Sequence, residues 1–221
     1  MAKEDIERSV KGYQEKFLKL AIEAKALKFG KYVLKSGRNS PYFFNASAFL
    51  EHGSLKSLSQ IMVEKVNDAN LKFDMIFGPA YKGIFLGTLL ANEMSSKRKI
   101  PVCFNRKEMK DHGEGGSLIG ASPKGKILIV DDVLSSGLAI RESIEILKPF
   151  DTEIVGVLVA LNRQERGQES DQMAAEELRE SGIPIFEIVS LDDMIGSKNV
   201  ISNKDLELMN EYRKNYRGAD V

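Results

Sequence analysis

Short apolar runs alternate with segments of helical periodicity through most of this chain, and that alternation restricts its fold more than any other feature. The apolar runs cover residues 73–77, 102–104, 127–130, 154–161 and 185–189. Helical segments lie between most of them, at residues 82–97, 138–148 and 168–181. Strands and helices in this order are typical of a parallel sheet covered by helices on both faces. The sequence therefore predicts an α/β fold in which ligands bind beyond the carboxyl ends of the strands.

Other elements are predicted on either side of this pattern and within it. An amphipathic helix opens the chain at residues 13–24, two short strands follow at residues 32–34 and 42–44, and a closing helix begins at Asn203. Residues 105–125 are polar and rich in glycine, and a loop of that length inside a compact protein is usually functional or disordered. A length of 221 residues is enough for one domain with a complete hydrophobic core.

Composition and charge exclude several classes of protein. Lysine plus arginine total 32 and aspartate plus glutamate total 32, so the formal net charge is zero. This excludes the overall basic excess of a duplex nucleic-acid binder, and we expect no nucleic-acid partner. The central apolar run at residues 154–161 is too short to span a membrane, and the polar N-terminus does not resemble a signal peptide. The single cysteine, Cys103, cannot form an intramolecular disulfide, which fits a reducing, cytoplasmic location.

The most informative segment follows the apolar run at residues 127–130. Asp131 and Asp132 end this predicted strand, a Ser-Ser-Gly loop follows at residues 135–137, and a helix with one apolar face begins next. Loop amides and a helix N-terminus form a site for phosphate, whereas carboxylates accept hydrogen bonds from sugar hydroxyls or lie near a metal ion. Together these groups fit a ribose 5-phosphate. The alternative is that the two acids merely cap a helix.

This segment resembles the ribose-phosphate signature of the type I phosphoribosyltransferases. Four further stretches make the chain similar to the orotate phosphoribosyltransferases, with the same order and similar separations. They are residues 34–38 with 40–45, 78–83, 104–108 with 110–116, and 161–167. The resemblance covers about residues 13–215, which is nearly the whole chain.

The resemblance implies a type I phosphoribosyltransferase-like fold with a mostly parallel central sheet flanked by helices. It implies one domain over residues 1–221, with a small N-terminal hood at about residues 1–50 and a mobile lid loop at about residues 105–120. The implied activity transfers the 5-phosphoribosyl group of 5-phosphoribosyl 1-diphosphate (PRPP) to orotate. The products are orotidine 5′-monophosphate and diphosphate, in de novo pyrimidine (UMP) biosynthesis. The expected cofactor is Mg²⁺, held mainly by PRPP and water. The expected partner is a second copy of the chain, in a homodimer whose lid reaches the neighbouring active site.

The resemblance also assigns site residues, one set for each task. The catalytic set is Lys107, Lys110, His112, Asp131 and Asp132. The PRPP-binding set is Lys35, Tyr81, Lys82, Arg106, Lys107, Lys110, His112, Asp131, Asp132, Val133, Leu134, Ser135, Ser136, Gly137, Leu138 and Ala139. The orotate-binding set is Phe43, Phe44, Ser135 and Arg163. The peptide bond between Ala80 and Tyr81 is expected to be cis.

The chemistry of these residues agrees with the assignment, although each also has a simpler structural interpretation. The lid cations suit a dense anion such as diphosphate, and a guanidinium at Arg163 is able to bind a carboxylate in a fork. Otherwise, mixed charge in a loop is typical of a solvated surface, and Arg163 would form an ordinary surface ion pair. Phe43 and Phe44 would more often belong to the core.

Two other functions remain open at this point. A phosphoribosyltransferase for purines would keep the segment around Asp131 but would need neither the Phe43–Phe44 strand nor Arg163. A regulator that senses PRPP would keep the phosphate loop but would usually carry a DNA-binding appendage, for which the chain shows no spare segment or basic stripe. The phosphate loop also departs from the family, because Leu138 and Ala139 lie where threonine or serine is frequent and offer only backbone amides.

Overall fold

A six-stranded sheet forms the centre of the protein. The computed structural model describes residues 10–34, 36–107, 118–167 and 170–219. The strands of the sheet are β3 (Met75–Phe77), β4 (Val102–Asn105), β5 (Leu118–Gly120), β6 (Gly125–Leu134), β7 (Thr152–Asn162) and β8 (Ile185–Ser190). Their order is β5-β4-β3-β6-β7-β8, and all neighbouring pairs are parallel except β4 and β5. The predicted α/β fold with a mostly parallel sheet is confirmed.

Helices cover both faces of this sheet. They are α1 (Gly12–Glu23), α2 (Ala48–His52), α3 (Leu55–Asp68), α4 (Lys82–Met94), α5 (Leu138–Leu147), α6 (Ala174–Glu180), α7 (Leu191–Gly196) and α8 (Asn203–Tyr216). Strand β6 packs against both layers, because Leu128 and Val130 join one core cluster while Ile127 and Ile129 join the other. Each of these buried side chains contributes about 1.5–3 kcal/mol, so β6 is held firmly where it leads into the site.

A second, two-stranded sheet lies near the N-terminus. It pairs β1 (Leu27–Val33) with β2 (Asn39–Phe44) in antiparallel fashion, within the segment predicted as the hood. Helix α8 packs on it, and the rings of Tyr42 and Tyr212 meet edge to face with 5.8 Å between their centroids. Most of the predicted lid, residues 108–117, lies outside the described residues. That the chain forms one domain stays a prediction.

The structure differs from the prediction at three elements, of which two have other boundaries and one was not expected. Strand β1 begins at Leu27, ahead of the predicted residues 32–34, and α6 begins at Ala174, within the predicted helix at residues 168–181. Strand β5 is not predicted at all, since its residues belong to the polar, glycine-rich segment. It pairs closely with β4 because Gly120 has no side chain, and a Cβ there would lie 2.3 Å from the carbonyl oxygen of Val102. None of the helices in the described ranges combines the length and the hydropathy of a membrane span.

Candidate active site

Two carboxylates lie at the carboxyl end of β6. The strand runs past them to Leu134, so Asp131 and Asp132 are held by pairing with β7 rather than by a loop. Asp131 is 8% exposed, and its Oδ1 accepts a hydrogen bond of 2.8 Å from the amide of Asp132. Burial, followed by the negative charge of Asp132, raises the pKa of Asp131 to about 7. The pair therefore carries less than two full negative charges near neutral pH.

Lys82 lies against this pair. It is the first residue of α4, and its Nζ is 3.2 Å from Oδ2 of Asp132. The Lys82 side chain is 41% exposed, whereas that of Asp132 is only 13% exposed. One cation is thus available beside the acids and is able to reach towards solvent, where an incoming anion would lie.

The segment before Lys82 takes a compact path between β3 and α4. Gly78 and Gly83 pass so closely that a Cβ on Gly78 would lie 2.3 Å from the carbonyl oxygen of Gly83. The peptide bond between Ala80 and Tyr81 is cis, as the resemblance predicts. The amide of Ala80 donates a hydrogen bond of 2.8 Å to Oδ1 of Asn105, at the end of β4. The segment therefore presents the Tyr81 side chain, which is 69% exposed, at the same edge of the sheet as the acids.

The beginning of the predicted lid lies beside Tyr81. Nζ of Lys107 is 5.7 Å from the centroid of the Tyr81 ring, within the range of a cation–π contact. Arg106 directly follows β4 and is partly buried. Lys110, His112 and Lys35 lie outside the described residues, so their assigned roles stay predictions.

The segment after β6 has the features of an anion site. Gly137 is the N-cap of α5 with a φ of 79°, a left-handed conformation that favours glycine, and no side chain caps the helix. The first amides of a helix have no partner within it, so those of Leu138 and Ala139 are available to a phosphate oxygen. Leu138 and Ala139 are exposed, whereas Gly137 is buried. Ser135 and Ser136 are partly buried between strand and helix.

The assigned residues Val133 and Leu134 take different positions. Val133 is partly buried, whereas the side chain of Leu134 is 1% exposed in the core and offers a ligand nothing but backbone. The carbonyl oxygen of Leu134 accepts a hydrogen bond of 3.0 Å from the amide of Arg163. This bond places Arg163 directly beside the end of β6.

The two phenylalanines assigned to orotate lie on opposite faces of β2. Phe44 is 7% exposed and packs in the core against Phe17 and Phe49, with ring centroids 6.1 and 6.3 Å away. Phe43 is 41% exposed, and its ring lies on Tyr32 with 5.4 Å between centroids. Because strand side chains alternate, only the Phe43 ring is free to contact a ligand, and Phe44 is limited to its backbone.

Arg163 is not a surface residue. It is 4% exposed, and its Nε donates to Glu165 at 2.6 Å while its Nη2 donates to Ser40 and to Tyr212 at 3.0 and 2.9 Å. Its guanidinium also lies 4.3 Å from the centroid of the Tyr42 ring. These bonds occupy the Nε–Nη2 edge, which would otherwise bind a carboxylate in a fork. Within the described residues no hydrogen bond uses Nη1, so this nitrogen is left for a ligand.

Sequence reasoning missed four residues of this region. Asn105 holds the segment before Lys82, and Ser40, Glu165 and Tyr212 hold Arg163. Asn105 and Glu165 lie inside segments that carry the resemblance, so a search for partners of the assigned residues would have reached them. Tyr212 gave no signal in the sequence, because its place beside Arg163 depends on how α8 packs.

In the described part of the chain, no group of three or more acidic, histidine or cysteine side chains is arranged to hold a metal ion.

Comparison with known proteins identifies relatives over most of the chain. The profile of the Phosphoribosyl transferase domain family matches residues 46–189. A protein of Stutzerimonas stutzeri named orotate phosphoribosyltransferase is 46% identical over 213 residues, which is 94% of this chain and 99% of that one. One of the same name from Vibrio parahaemolyticus is 44% identical over 94% of this chain and 99% of its own length. The crystal structure of orotate phosphoribosyltransferase from Francisella tularensis has a TM-score of 0.79 and 32% identity, covering 91% of this chain and 99% of that one.

Proposed function

The chain belongs to the orotate phosphoribosyltransferases of the Phosphoribosyl transferase domain family, and from this we propose which of its residues carry the reaction. The enzyme transfers the phosphoribosyl group of PRPP to orotate, giving orotidine 5′-monophosphate and diphosphate in pyrimidine biosynthesis. A bond forms between a ring nitrogen of orotate and the anomeric carbon of the ribose. The bond from that carbon to the diphosphate breaks, and diphosphate leaves with the electron pair, while the proton on the attacking ring nitrogen is released to the departing diphosphate or to water.

The ribose phosphate binds at the end of β6. Asp131 and Asp132 accept hydrogen bonds from the 3′- and 2′-hydroxyls, and the segment from Ser135 to Ala139 surrounds the 5′-phosphate. The observation that carries this proposal is that one continuous segment holds both groups: the two acids lie near the end of β6, and the uncapped N-terminus of α5 begins six residues after Asp132. A carboxylate pair accepts hydrogen bonds from hydroxyl groups and repels phosphate, whereas the amides at a helix N-terminus bind phosphate. The sugar and its phosphate therefore bind in one orientation.

Charge develops in two places during the transfer. The ribose ring becomes positive, as in other glycosyl transfers, and the departing diphosphate gains negative charge. The two acids stabilise the ring, while Lys82 together with Arg106 and Lys107 stabilises the diphosphate. Catalysis then depends on fixed charges and positioning and needs no covalent intermediate with the enzyme. Lys110 and His112 complete the cationic set.

A magnesium ion would enter with the diphosphate. The carboxylate oxygens of Asp131 and Asp132 suit Mg²⁺ and lie at the edge of the site, but the described residues offer no cluster that would hold it alone. When bound, the ion neutralises part of the charge on the leaving group. PRPP and water would supply most of its ligands.

The lid excludes water from the site. A lid that closes over bound substrates prevents hydrolysis of the activated ribose, and its cations then reach the diphosphate. We place this lid over the active site of the second subunit of a homodimer, in a cytoplasmic enzyme. Within its own chain, the beginning of the lid lies beside Tyr81 at the diphosphate side of the site, and the mixed dimers described below test which subunit the lid serves.

Arg163 binds the carboxylate of orotate, and its replacement tests the proposed base site. Arg163→Ala is expected to raise the KM for orotate by about 10- to 100-fold, since a hydrogen bond to a charged group is worth about 1.5–3 kcal/mol. The KM for PRPP is expected to change little. The assay follows the loss of orotate absorbance after PRPP and Mg²⁺ are added, with adenine and hypoxanthine as controls for a purine enzyme. An unchanged KM for orotate would remove Arg163 from the base site.

Mixed dimers test whether the lid acts across subunits. One chain carries Lys110→Ala in the lid, and the other carries Leu138→Asp, which places a carboxylate at the phosphate site from an exposed position in the first turn of α5, where an acidic side chain suits the helix. If the lid of one subunit serves the other, equal mixing and random exchange restore about a quarter of wild-type activity, because about half of the dimers are then mixed and each mixed dimer has one of its two sites intact. Recovery is measured after the two inactive homodimers exchange subunits. No recovery in proven mixed dimers would mean that each site is complete within one chain.

A further inference from the structure

The carboxylate of Glu165 is the centre of a buried group of side chains beside the base site. Glu165 is 2% exposed and lies two residues after Arg163. Gln164 between them has a φ of 53°, a left-handed turn that is uncommon outside glycine. The turn brings the Glu165 side chain back to Arg163, with 2.6 Å between Oε1 and Nε of the arginine.

Three parts of the chain donate hydrogen bonds to this one carboxylate. Arg163 donates from the end of β7, and Nη1 of Arg38 donates to Oε2 at 2.6 Å from the turn that precedes β2. The hydroxyl of Tyr212 donates to Oε1 from α8. Burial raises the pKa of Tyr212 to about 12, so its hydroxyl keeps its proton at neutral pH. The same hydroxyl accepts a hydrogen bond of 2.9 Å from Nη2 of Arg163.

The charges of this group do not cancel. Two guanidinium groups, Arg38 and Arg163, share the single carboxylate of Glu165, so the three side chains carry one net positive charge. Tyr42 and Tyr212, which pack on Arg163, are neutral. Arg163 is shielded from water whereas the Arg38 side chain is 23% exposed, so only part of this net charge is buried, and a monoanionic ligand such as a carboxylated base supplies a counterion for it.

The hydrogen bonds also set the direction of the Arg163 guanidinium. Nε and Nη2 are engaged by Glu165, Tyr212 and Ser40, of which Ser40 lies on β2, Tyr212 on α8 and Glu165 three residues after the end of β7. We propose that Glu165 and Tyr212 are positioning residues for orotate, which hold the Nε–Nη2 edge of Arg163 so that Nη1 faces the carboxylate of the base. This inference rests on the proposed role of Arg163.

Such an arrangement removes a cost from substrate binding. A free arginine side chain samples many rotamers, and part of that entropy is lost when it binds a ligand. Here the loss occurs on folding, before orotate arrives, and the supporting contacts hold the group in the productive geometry. The closing helix therefore affects the base site without itself contacting orotate.

Two tyrosine variants test this inference as a matched pair. The rings of Tyr42 and Tyr212 both pack on Arg163, at 4.3 and 5.5 Å from its guanidinium, but among the described residues the Tyr42 hydroxyl has no hydrogen-bond partner. Tyr212→Phe is expected to raise the KM for orotate by about 3- to 10-fold, from the loss of hydrogen bonds to charged groups. Tyr42→Phe is expected to leave it unchanged. Neither variant should alter kcat or the KM for PRPP by more than about twofold, on the same reasoning.

A double variant separates positioning from a general loss of structure. If Tyr212 acts through Arg163, adding Tyr212→Phe to Arg163→Ala should raise the KM for orotate no further. Glu165→Gln is expected to act like Tyr212→Phe, and its melting temperature shows whether it folds. Equal effects of Tyr212→Phe and Tyr42→Phe, an equal rise in the KM for PRPP, or additive effects in the double variant would each overturn the inference.

The outcomes also separate this inference from the proposed base site. If Arg163→Ala leaves the KM for orotate unchanged, the role of Arg163 fails and the positioning role fails with it. If Arg163→Ala raises this KM and Tyr212→Phe does not, only the positioning role is overturned.

Discussion

Replacing Lys110 by alanine is expected to lower kcat by about 100- to 1,000-fold, the usual cost of removing one fixed group that stabilises charge in a transition state. The negative charge on diphosphate grows as the bond to the anomeric carbon breaks, so a lysine at this position binds the transition state more tightly than the substrate. The KM for orotate should change little, because the base lies at the other side of the ribose. Steady-state kinetics with both substrates varied measure the two effects separately.

The control for this variant is Lys124→Ala. Lys124 is an exposed lysine that follows the lid and is assigned to no substrate, so its loss should leave kcat unchanged. Turnover of the Lys110 variant near that of the wild type would exclude this lysine from the mechanism. The remaining cations of the lid would then have to stabilise the leaving group alone.

Asp131→Asn is expected to lower kcat/KM for PRPP by about 10- to 100-fold, since it weakens a charged hydrogen bond to the ribose.

The Asp131→Asn variant is also expected to stabilise the substrate-free protein at pH 8. The folded-state pKa of Asp131 is about 7, above its ordinary value of 3.8, because burial and the charge of Asp132 disfavour ionisation. The wild type therefore loses stability from this group as the pH rises from about 4 to about 7.

The stability effect has a definite pH dependence. The variant should exceed the wild type by about 2–4 kcal/mol at pH 8, at about 1.4 kcal/mol per pKa unit, and by much less at pH 4. Each kcal/mol corresponds to about 2–4 °C in melting temperature for a protein of this size. Thermal unfolding at both pH values measures it, with the exposed residue Asp151 replaced by asparagine as the control for loss of a charge. A difference that is the same at both pH values would contradict the buried, partly protonated Asp131.

Much of the fold was predictable, because the relevant signals are local. The alternation of apolar runs and helical segments indicated the parallel sheet, and the central strand at residues 127–130 lies within β6. The prediction that Asp131 and Asp132 lie at the carboxyl end of that strand is confirmed. The resemblance also anticipated the cis peptide bond before Tyr81.

Other features depend on contacts between distant parts of the chain. Strand β5 forms in a polar segment because β4 offers it a partner, and nothing in its own composition indicates a strand. Phe43 and Phe44 are alike in sequence, yet the pleat of β2 sends one ring to solvent and the other into the core. The fork expected of Arg163 is occupied, because Glu165 and Tyr212 already use that edge.

The sequence by itself determined the alternation of strands and helices in the parallel part of the sheet, the acids of the sugar site and the loop that follows them. These follow from hydrophobic period and residue type, which act over a few neighbouring positions. Only the tertiary structure decided that Asp131 is buried enough to shift its pKa, and that Arg38, Arg163 and Tyr212 meet around Glu165. The reason is physical: desolvation and hydrogen-bond geometry depend on which distant segments pack together, and that information appears only when the chain folds.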